Sequence, residues 1–358
     1  GQVDPWPFTV ASTGLFHTCA IDDGGTAYCW GRGLESQLGD ADTLDVNQPK
    51  PVSTELTWAA ITGGETHSCG LTDTDSQVYC WGEGFQTGQA TGLPVPTPVQ
   101  VQGGPWSSLA SGVGHVCAIG AGRQAFCWGE ESEGRLGLGD GILLPTEIPS
   151  PVAGGHDWFQ LSAGWRHTCG RTMDLKAYCW GRGTDGQLGD GPKVDRTVPV
   201  EVAGGYDWRM VSAGYQHSCG ISVDRDAYCW GEGSRDELGD GSGTDQSSPV
   251  KVAGAHEWDL ISAGRFHTCA IDTGAKLYCW GSRGTQSGRP WLVGIGPFGS
   301  PTPAAVMPDL DFESVETQGT HTCAVTTDNQ AYCWGDGDFG QLGVRSVFDF
   351  EVPRQVFR

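Results

Sequence analysis

The residues that could carry chemistry in this sequence are histidines and cysteines that recur at fixed spacing. The 14 cysteines form seven pairs, six of them ten residues apart and one eleven apart. The pairs are Cys19 and Cys29, Cys69 and Cys80, Cys117 and Cys127, Cys169 and Cys179, Cys219 and Cys229, Cys269 and Cys279, and Cys323 and Cys333. A histidine stands two residues before each first cysteine, at His17, His67, His115, His167, His217, His267 and His321. Imidazole and thiolate are good ligands for zinc or copper, so each set could be a three-ligand metal site.

The spacing within a pair favours disulfides over metal. Cys19 and Cys29 are placed symmetrically about Gly24, so a turn over Asp22–Thr26 would set them opposite each other on one face of a hairpin. Regular pairs of this kind are typical of proteins from oxidising compartments. We therefore predict seven disulfides, one within each unit, and a structural role for the seven histidines.

Acidic loops raise a second possibility, because hard oxygen ligands suit calcium. Carboxylates lie five residues apart at Asp40 and Asp45, at Asp190 and Asp195, and at Asp240 and Asp245. None of these matches a complete calcium loop, and aspartate beside glycine often serves a turn. We predict no cofactor and no metal, with calcium as the alternative that stays open.

Catalysis is disfavoured because the polar residues that could act as nucleophile, base or acid recur in every unit. Such repetition favours a scaffold, and no unique constellation of catalytic groups stands out. No glycine-rich phosphate loop lies between a strand and a helix either. We predict that the protein is not an enzyme.

The elements that hold these residues repeat with a period of about 50 residues, as blades of propellers do. Successive first cysteines are 50, 48, 52, 50, 50 and 54 residues apart, and 57 glycines and 20 prolines leave little room for helices. One unit contains four short apolar segments, at Phe159–Ala163, His167–Gly170, Ala177–Trp180 and Val198–Val202. Seven such antiparallel sheets can bury their faces by packing around an axis.

The prediction is thus an all-β chain, a seven-bladed β-propeller of four-stranded antiparallel blades with one disulfide per blade. It forms a single domain over residues 1–358. The repeats cover approximately 8–57, 58–105, 106–157, 158–207, 208–257, 258–311 and 312–358.

Charge restricts the partners. With 43 acidic and 21 basic residues the chain has a formal charge of −22, which disfavours nucleic acid and anionic membrane surfaces as ligands. No apolar stretch reaches the ~18 residues of a transmembrane helix. The start of the sequence lacks the layout of a signal peptide, so if the protein is exported we expect this to be the mature chain. The cysteine pairs favour a protein that is secreted, extracellular or periplasmic.

Two recurring motifs resemble those of a known family. Gly164–Thr168 reads Gly-Trp-Arg-His-Thr and Gly186–Asp190 reads Gly-Gln-Leu-Gly-Asp, and both are similar to repeats of the regulator of chromosome condensation family. The resemblance covers essentially the whole chain and implies a seven-bladed propeller. Units two and six depart from the second motif, at Gly84–Gly88 and Gly284–Gly288.

The family includes nuclear exchange factors for a small GTPase, a plant ultraviolet-B photoreceptor and a secreted bacterial inhibitor of β-lactamases. The cysteine pairs fit a nuclear role poorly. A photoreceptor would require a cluster of tryptophans, whereas only Trp165 occupies that position here. The resemblance therefore favours a secreted, inhibitor-like binding protein of a disulfide-containing branch.

Residues that vary between the repeats are the best candidates for binding. The resemblance places the variable residues before each histidine on one face of the propeller, and aromatic and arginine side chains there are typical of interfaces. This set is Phe16, Trp165, Arg166, Tyr215, Arg265 and Phe266. The long loop of unit six adds Trp291 and Phe298, within a run from Pro290 to Pro303 that has no charged residue. That run either covers part of the propeller or presents an apolar patch.

The sequence thus predicts a secreted, non-enzymatic scaffold that binds a protein partner through one face. A carbohydrate-binding or calcium-assisted adhesive module is the alternative, with a glycan as ligand.

Overall fold

Seven antiparallel sheets, each of four strands, form the blades of a propeller in the computed structural model, which describes residues 7–141, 144–282, 294–295 and 299–357. The all-β prediction is confirmed, because the only helical pieces in these ranges are short 3-10 segments at Gly84–Thr87 and Ala121–Arg123. No helix in the described ranges is long and apolar enough to cross a membrane.

The strands follow each other blade by blade. Blades one to four contain β1 Phe8–Thr13, β2 His17–Asp22, β3 Ala27–Gly31, β4 Val46–Pro51; β5 Trp58–Gly63, β6 His67–Thr72, β7 Val78–Gly82, β8 Val95–Gln100; β9 Ser108–Ser111, β10 His115–Ile119, β11 Ala125–Gly129, β12 Thr146–Pro151; β13 Trp158–Ala163, β14 His167–Thr172, β15 Ala177–Gly181, β16 Arg196–Glu201. Blades five to seven contain β17 Trp208–Ala213, β18 His217–Ser222, β19 Ala227–Gly231, β20 Gln246–Lys251; β21 Trp258–Ala263, β22 His267–Asp272, β23 Leu277–Gly281, β24 Ser300–Val306; β25 Phe312–Glu316, β26 His321–Thr326, β27 Ala331–Gly335, β28 Phe350–Gln355.

The ring closes by packing of whole blades, since each sheet is built from consecutive strands. Buried hydrogen bonds join blade seven to blade one. The His321 ring nitrogen Nε2 lies 2.7 Å from Thr18 Oγ1, and Trp30 Nε1 donates to the Gln341 carbonyl at 2.8 Å. Among the described residues, no strand is exchanged between the first and last blades.

Each cysteine pair forms a disulfide, as predicted. The Asp22 carboxylate accepts hydrogen bonds from the Gly24 and Thr26 amides at 3.0 and 2.9 Å, which fixes the hairpin turn and brings Cys19 opposite Cys29. The other six bonds join Cys69 to Cys80, Cys117 to Cys127, Cys169 to Cys179, Cys219 to Cys229, Cys269 to Cys279, and Cys323 to Cys333.

The seven bonds share one register, because the two cysteines of each pair lie directly opposite each other on the second and third strands of their blade. The eleven-residue spacing of Cys69 and Cys80 does not change this register. No cysteine is free. Thiolate metal sites at these cysteines are therefore ruled out.

Each disulfide lies within one blade, on the side that packs against the next blade, and forms part of the core there. The Cys169–Cys179 bridge of blade four packs with Leu188 against Trp208 and Trp230 of blade five, and all five side chains are buried. Equivalent clusters join the other neighbouring blades. Burying one large aromatic side chain contributes roughly 2 to 3 kcal/mol, so the aromatic pair that recurs in each unit fastens one blade to the next.

A chain of hydrogen bonds runs beside this core. His17 Nε2 lies 2.7 Å from Ser68 Oγ of the next blade, and that hydroxyl donates to the Gln37 carbonyl at 2.9 Å. Trp81 Nε1 donates to the same carbonyl at 2.9 Å. The histidine therefore donates from Nε2, which leaves its buried Nδ1 without a partner. Five further histidines have the same hydroxyl contact, at His115, His167, His217, His267 and His321.

The loop between the third and fourth strands of a blade is called its third loop. In blade two this loop has a different sequence but still supplies the carbonyl acceptor for the tryptophan of the next blade. Its 3-10 segment Gly84–Thr87 presents the Gln86 carbonyl, which accepts the Trp128 Nε1 hydrogen bond at 2.9 Å. In blade four, the second glycine of the Gly-Gln-Leu-Gly-Asp motif has no room for a side chain. Gly189 has a φ of +69°, and a Cβ there would lie 2.7 Å from Trp230 Nε1.

His67 lacks the hydroxyl contact because Val116 occupies the serine or threonine position in blade three, and both ring nitrogens of His67 are buried without a partner. Replacing Val116 with Thr keeps the shape and supplies a hydroxyl between the imidazole and the Gln86 carbonyl. We expect Val116→Thr to raise the free energy of unfolding by about 1 kcal/mol, measured by urea denaturation at pH 7.5.

Thr168→Val is the matched control, because it removes the same contact from His115 and should lower the free energy of unfolding by about 1 to 3 kcal/mol. A Val116→Thr variant that is less stable than the wild-type chain would show that the hydroxyl is not needed at this position.

Candidate partner-binding face

The variable residues before each histidine lie on one face of the propeller. They connect the first and second strands of a blade, and the longer loop between the third and fourth strands leaves the sheet on the same side. Backbone hydrogen bonds join the two loops, from the Arg32 amide to the Phe16 carbonyl at 3.0 Å and from the Arg182 amide to the Arg166 carbonyl at 2.8 Å. We call this side of the molecule the loop face.

Aromatic rings from three neighbouring blades stack on the loop face. Trp165 of blade four lies parallel to Tyr215 of blade five, with ring centroids 4.0 Å apart and an interplanar angle of 5°. Tyr215 in turn lies 6.4 Å from Phe266 of blade six. All three side chains are half-buried, so each lies against its neighbour and keeps part of its surface accessible.

Arginine side chains lie over these rings. The Arg166 guanidinium lies 4.4 Å from the Trp165 ring centroid. Arg265 lies 4.8 Å from Tyr215 and 4.9 Å from Phe266. Two arginines of the third loops complete the set, with Arg182 5.4 Å from Trp165 and Arg235 4.5 Å from Phe266. We call these residues the aromatic–arginine band: Trp165, Arg166, Arg182, Tyr215, Arg235, Arg265 and Phe266.

Most of the positive charge in the band is balanced within the protein. Arg166 pairs with Glu133 at 2.7 Å, Arg182 with Asp185 at 3.1 Å and Arg235 with Glu232 at 2.9 Å. Arg265 makes no ion pair within 4.0 Å in the described part of the chain, and residues 283–293 and 296–298 contain no Asp or Glu. Among the described residues, Arg265 is therefore the cation of the band that can accept a carboxylate from outside.

Acidic side chains lie farther along the same face. Burial raises the pKa of Glu65, and the nearby carboxylates of Glu130 and Glu83 add to the shift while Arg32 and Arg265 oppose it. Burial likewise raises the pKa of the Tyr215 hydroxyl, which Arg265 opposes. Arg265 thus acts electrostatically on both neighbours without forming a close pair.

Phe16 lies on the loop face but apart from the band. Its ring packs edge to face on Phe339 of blade seven at 5.5 Å, and Arg32 lies over both rings. Beside them is a surface cavity of about 440 Å³ whose lining includes Leu34 and Leu44, 63% and 65% exposed. The structure therefore brings five of the six predicted loop residues together and places Phe16 in a second cluster.

Trp291 and Phe298, the candidates from unit six, lie outside the described residues, and their role stays a prediction. Of that loop, Ile295 is described, and it packs against the core between blades six and seven.

Sequence reasoning missed Arg182, Arg235, Arg32 and Phe339, all from the third loops. The signal was present, because the residue two places after each recurring tryptophan also varies, with Arg32 and Arg182 in two of the units. The two variable positions lie on one face because the first and third strands of an antiparallel sheet point the same way.

The carboxylates that suggested calcium have partners within their own loops. Asp45, Asp195 and Asp245 accept hydrogen bonds from glycine amides at 2.9, 2.9 and 3.1 Å. Asp40 and Asp190 form ion pairs with nearby basic residues. A different group lies in blade seven, where three carboxylates place oxygens within 4.8 Å of one another, at Asp336, Asp338 and Asp349. Calcium therefore stays a hypothesis.

Comparison with known proteins supports the resemblance. Two sequence models of the regulator of chromosome condensation (RCC1) repeat match the chain. The first matches residues 24–71, 124–170, 176–221 and 226–271, and the second matches 9–37, 160–187, 211–236, 258–285 and 319–341. Together these matches cover well over half of the sequence. The chain belongs to the RCC1 repeat family.

Among curated RCC1-repeat relatives, the ultraviolet-B receptor UVR8 of Arabidopsis thaliana is 31% identical over 197 residues, which are 51% of this chain and 43% of the receptor. The chain thus spans less than half the length of this relative. Human WBSCR16 superimposes with a TM-score of 0.83 at 18% identity, covering 93% of this chain and 94% of that structure. Prp20p of Saccharomyces cerevisiae, whose structure was described with its binding to Gsp1p and histones, gives 0.73 at 23% identity, covering 86% and 80%. These likenesses show the seven-bladed fold.

Proposed function

We propose that this RCC1-repeat propeller is a non-enzymatic scaffold that binds a protein partner through its loop face, with the aromatic–arginine band at the centre of the contact. The observation that carries the proposal is the continuous ladder of Arg166, Trp165, Tyr215, Arg265 and Phe266 over three blades. Tryptophan, tyrosine and arginine are the residues that contribute most to protein interfaces. A yeast relative in fold is described as binding proteins.

The charges indicate which partner fits. The chain carries a formal charge of −22, which attracts a basic protein at long range and repels nucleic acids. At short range, Arg265 offers an unneutralised guanidinium between two aromatic rings. We therefore propose a partner with a basic overall surface that inserts an Asp or Glu side chain next to Arg265.

Secretion belongs to the same proposal. Seven disulfides are consistent with an oxidising compartment, and we propose an extracellular or periplasmic location. The disulfides make the propeller rigid, and the side chains of the aromatic–arginine band are already stacked before a partner binds. The protein therefore loses little conformational entropy on binding. An inhibitor-like role, in which the loop face covers a functional site of the partner, fits this rigidity.

The geometry argues against sugar stacking on Trp165. A sugar ring needs one open aromatic face, whereas Tyr215 covers one face of Trp165 and the Arg166 guanidinium lies over the ring from the other side. The carbohydrate-binding alternative would need a different site.

The test is affinity capture from the native secreted proteome with the wild-type chain and with a Trp165→Ala/Phe266→Ala double variant. We expect the captured protein to bind the double variant at least tenfold more weakly, with a melting temperature close to that of the wild-type chain. Phe159→Ala is the control, because Phe159 is 54% exposed in β13 and lies outside the loop face. Equal binding to the double variant, or equal loss in the control, would contradict the proposal. Binding on a glycan array that a chelator abolishes would instead support the calcium-assisted alternative.

A further inference from the structure

The first strands of the blades surround a central channel that contains a cavity of about 220 Å³. In each unit the residue seven places before the first cysteine faces this channel. Six blades contribute small residues there and the seventh contributes a glutamate. The ring consists of Ser12, Thr62, Ala110, Ser162, Ser212, Ser262 and Glu316.

Glu316 has no counter-ion in the channel. No Lys, Arg, His or second acid is among the described residues that line the cavity. Its polar contact is with Ser262 Oγ, at 3.5 Å. The side chain is exposed to the solvent of the channel, and the channel wall surrounds that solvent. An ionised carboxylate held in this way is stabilised by a bound cation.

The hydroxyl ring is already oriented by the backbone. Ser162 Oγ accepts a hydrogen bond from the Ala213 amide at 2.9 Å, and Ser212 Oγ accepts one from the Ala263 amide at 3.0 Å. Ser12 Oγ likewise accepts from the Gly63 amide, at 3.3 Å. These three hydroxyls therefore bridge to the next blade, and each keeps a second lone pair that can face the channel. Glu316 and these oxygens form a polar belt around the axis.

Gln318 closes the channel at the loop face. Its side-chain Nε2 donates to the Ser111 carbonyl at 2.6 Å, from blade seven across the ring to blade three. Its backbone amide donates to Thr13 Oγ1 of blade one at 2.9 Å. The equivalent residue is glycine in the other six repeats. Toward the opposite face the lining includes the apolar side chains of Val10, Ala60 and Met210 and the amide of Gln160, which is hydrogen-bonded to the Val211 backbone. The cavity therefore has one polar end and a largely apolar side.

We propose that this channel binds a small primary ammonium compound, with the ammonium group on the Glu316 carboxylate and the ring hydroxyls and a short alkyl chain against Val10, Ala60 and Met210. A single carboxylate provides too little negative charge for a tight divalent-metal site. An anion would be repelled by Glu316. The volume suits a ligand of only a few heavy atoms, well below the ~300 Å³ of a drug-sized pocket.

The site should respond to pH. Enclosure raises the pKa of Glu316 to about 7, and the Ser262 hydroxyl opposes that shift. The described lining holds no other titratable group, and the nearby histidines belong to the second strands, where burial keeps them neutral. Binding of the cation should therefore be tighter at pH 8, where Glu316 is ionised, than at pH 5.5.

The probe is n-butylammonium, with 1-butanol as the uncharged ligand of similar size, and binding is followed by ligand-observed NMR titration of the full chain. We expect saturable binding of the ammonium at millimolar concentration at pH 8, at least tenfold weaker binding at pH 5.5, and none of the alcohol. Glu316→Gln should weaken ammonium binding at least tenfold. Glu313→Gln, an exposed change in the same strand, should leave it unchanged.

If Glu316→Gln does not fold, Met210→Trp, which fills the apolar side of the channel, should block the ammonium in its place. Absence of saturable binding to the wild-type chain, equal binding of the alcohol, or retained binding in Glu316→Gln would each overturn the proposal. None of these outcomes bears on the loop face, which is tested separately by partner capture.

Discussion

Acidification from pH 6.5 to pH 5 is expected to lower the free energy of unfolding by about 8 kcal/mol, because seven histidines are buried in the neutral form. The pKa values of six of them are lowered to about 3, at His17, His67, His167, His217, His267 and His321. The pKa of His115 lies well below the usual range. Burial is the main cause in every case.

The sign follows from where the protons bind. In the unfolded chain each histidine takes up a proton near pH 6.5, whereas the folded chain does not until about pH 3. Stability from these groups is therefore complete above pH 6.5 and falls as the pH decreases, by about 1.4 kcal/mol per pH unit for each histidine. Protonation in the folded state would also place a hydrogen on Nδ1, which is buried without an acceptor.

Two carboxyl groups act in the opposite direction. Burial raises the pKa of Glu237 to about 8, and enclosure in the channel raises that of Glu316 to about 7. The folded chain holds these protons in the range where unfolded glutamates have lost theirs, so they offset up to two of the seven protons. Because Glu316 is exposed to channel solvent, its share is much smaller. About five to six protons remain, enough to bring the acid midpoint near pH 5 for a domain of ordinary stability.

The measurement is urea denaturation of the disulfide-intact chain at several pH values in 0.3 M salt, which screens the net charge. His67→Gln is the informative variant, because His67 has no hydrogen bond to lose. It should reduce the dependence on pH by one proton, about 1.4 kcal/mol per pH unit. Stability that stays constant from pH 7 to pH 5 would contradict the assignment of neutral, buried histidines.

The features that could be predicted from sequence are those set by local geometry and repetition. The pairing of Cys19 with Cys29 needs only a hairpin turn, and Asp22 beside Gly24 supplies it. Because the units repeat, the same pairing is expected in every blade. The recurring tryptophans lie in the core because each blade buries its face against the next. The strand boundaries were predicted within a few residues for the same reason, although the outer strand of unit four is Arg196–Glu201, earlier than expected.

Contacts between side chains of different blades could not be predicted in this way. The stacking of Trp165 on Tyr215 depends on the distance and rotation between blades four and five, which no spacing in the sequence encodes. Likewise, Gln318 reaches Ser111 only because the ring closes. Departures from the repeat nevertheless mark such places in the sequence, since Glu316, Gln318 and Val116 each replace a residue type that the other units share. The position of Phe16 in a separate cluster follows from blade seven, whose loop carries a glycine and a threonine where blade six has Arg265 and Phe266.

Complete reduction of the disulfides is expected to unfold the propeller at 37 °C. Each bridge closes a loop of about 11 residues, for which the chain-entropy estimate is about 3 kcal/mol. The seven loops do not overlap, so the separate contributions approach 20 kcal/mol in sum, more than the whole free energy of unfolding of a typical domain. Reduction also leaves pairs of thiols buried against the tryptophans of the next blade, as at Cys169 and Cys179.

The experiment compares two treatments with the same reductant. Without denaturant the native chain should resist, because every bridged cysteine is 0% exposed and disulfide exchange requires access to a sulfur atom. After reduction in urea and removal of the urea under reductant, tryptophan fluorescence and circular dichroism should stay those of an unfolded chain. A single-bridge variant, Cys169→Ala with Cys179→Ala, gives the graded control and should lose about 3 kcal/mol. Return of the reduced chain to the native spectra would show that the aromatic interfaces between blades suffice without the bridges, and would place the stability of this fold in its packing.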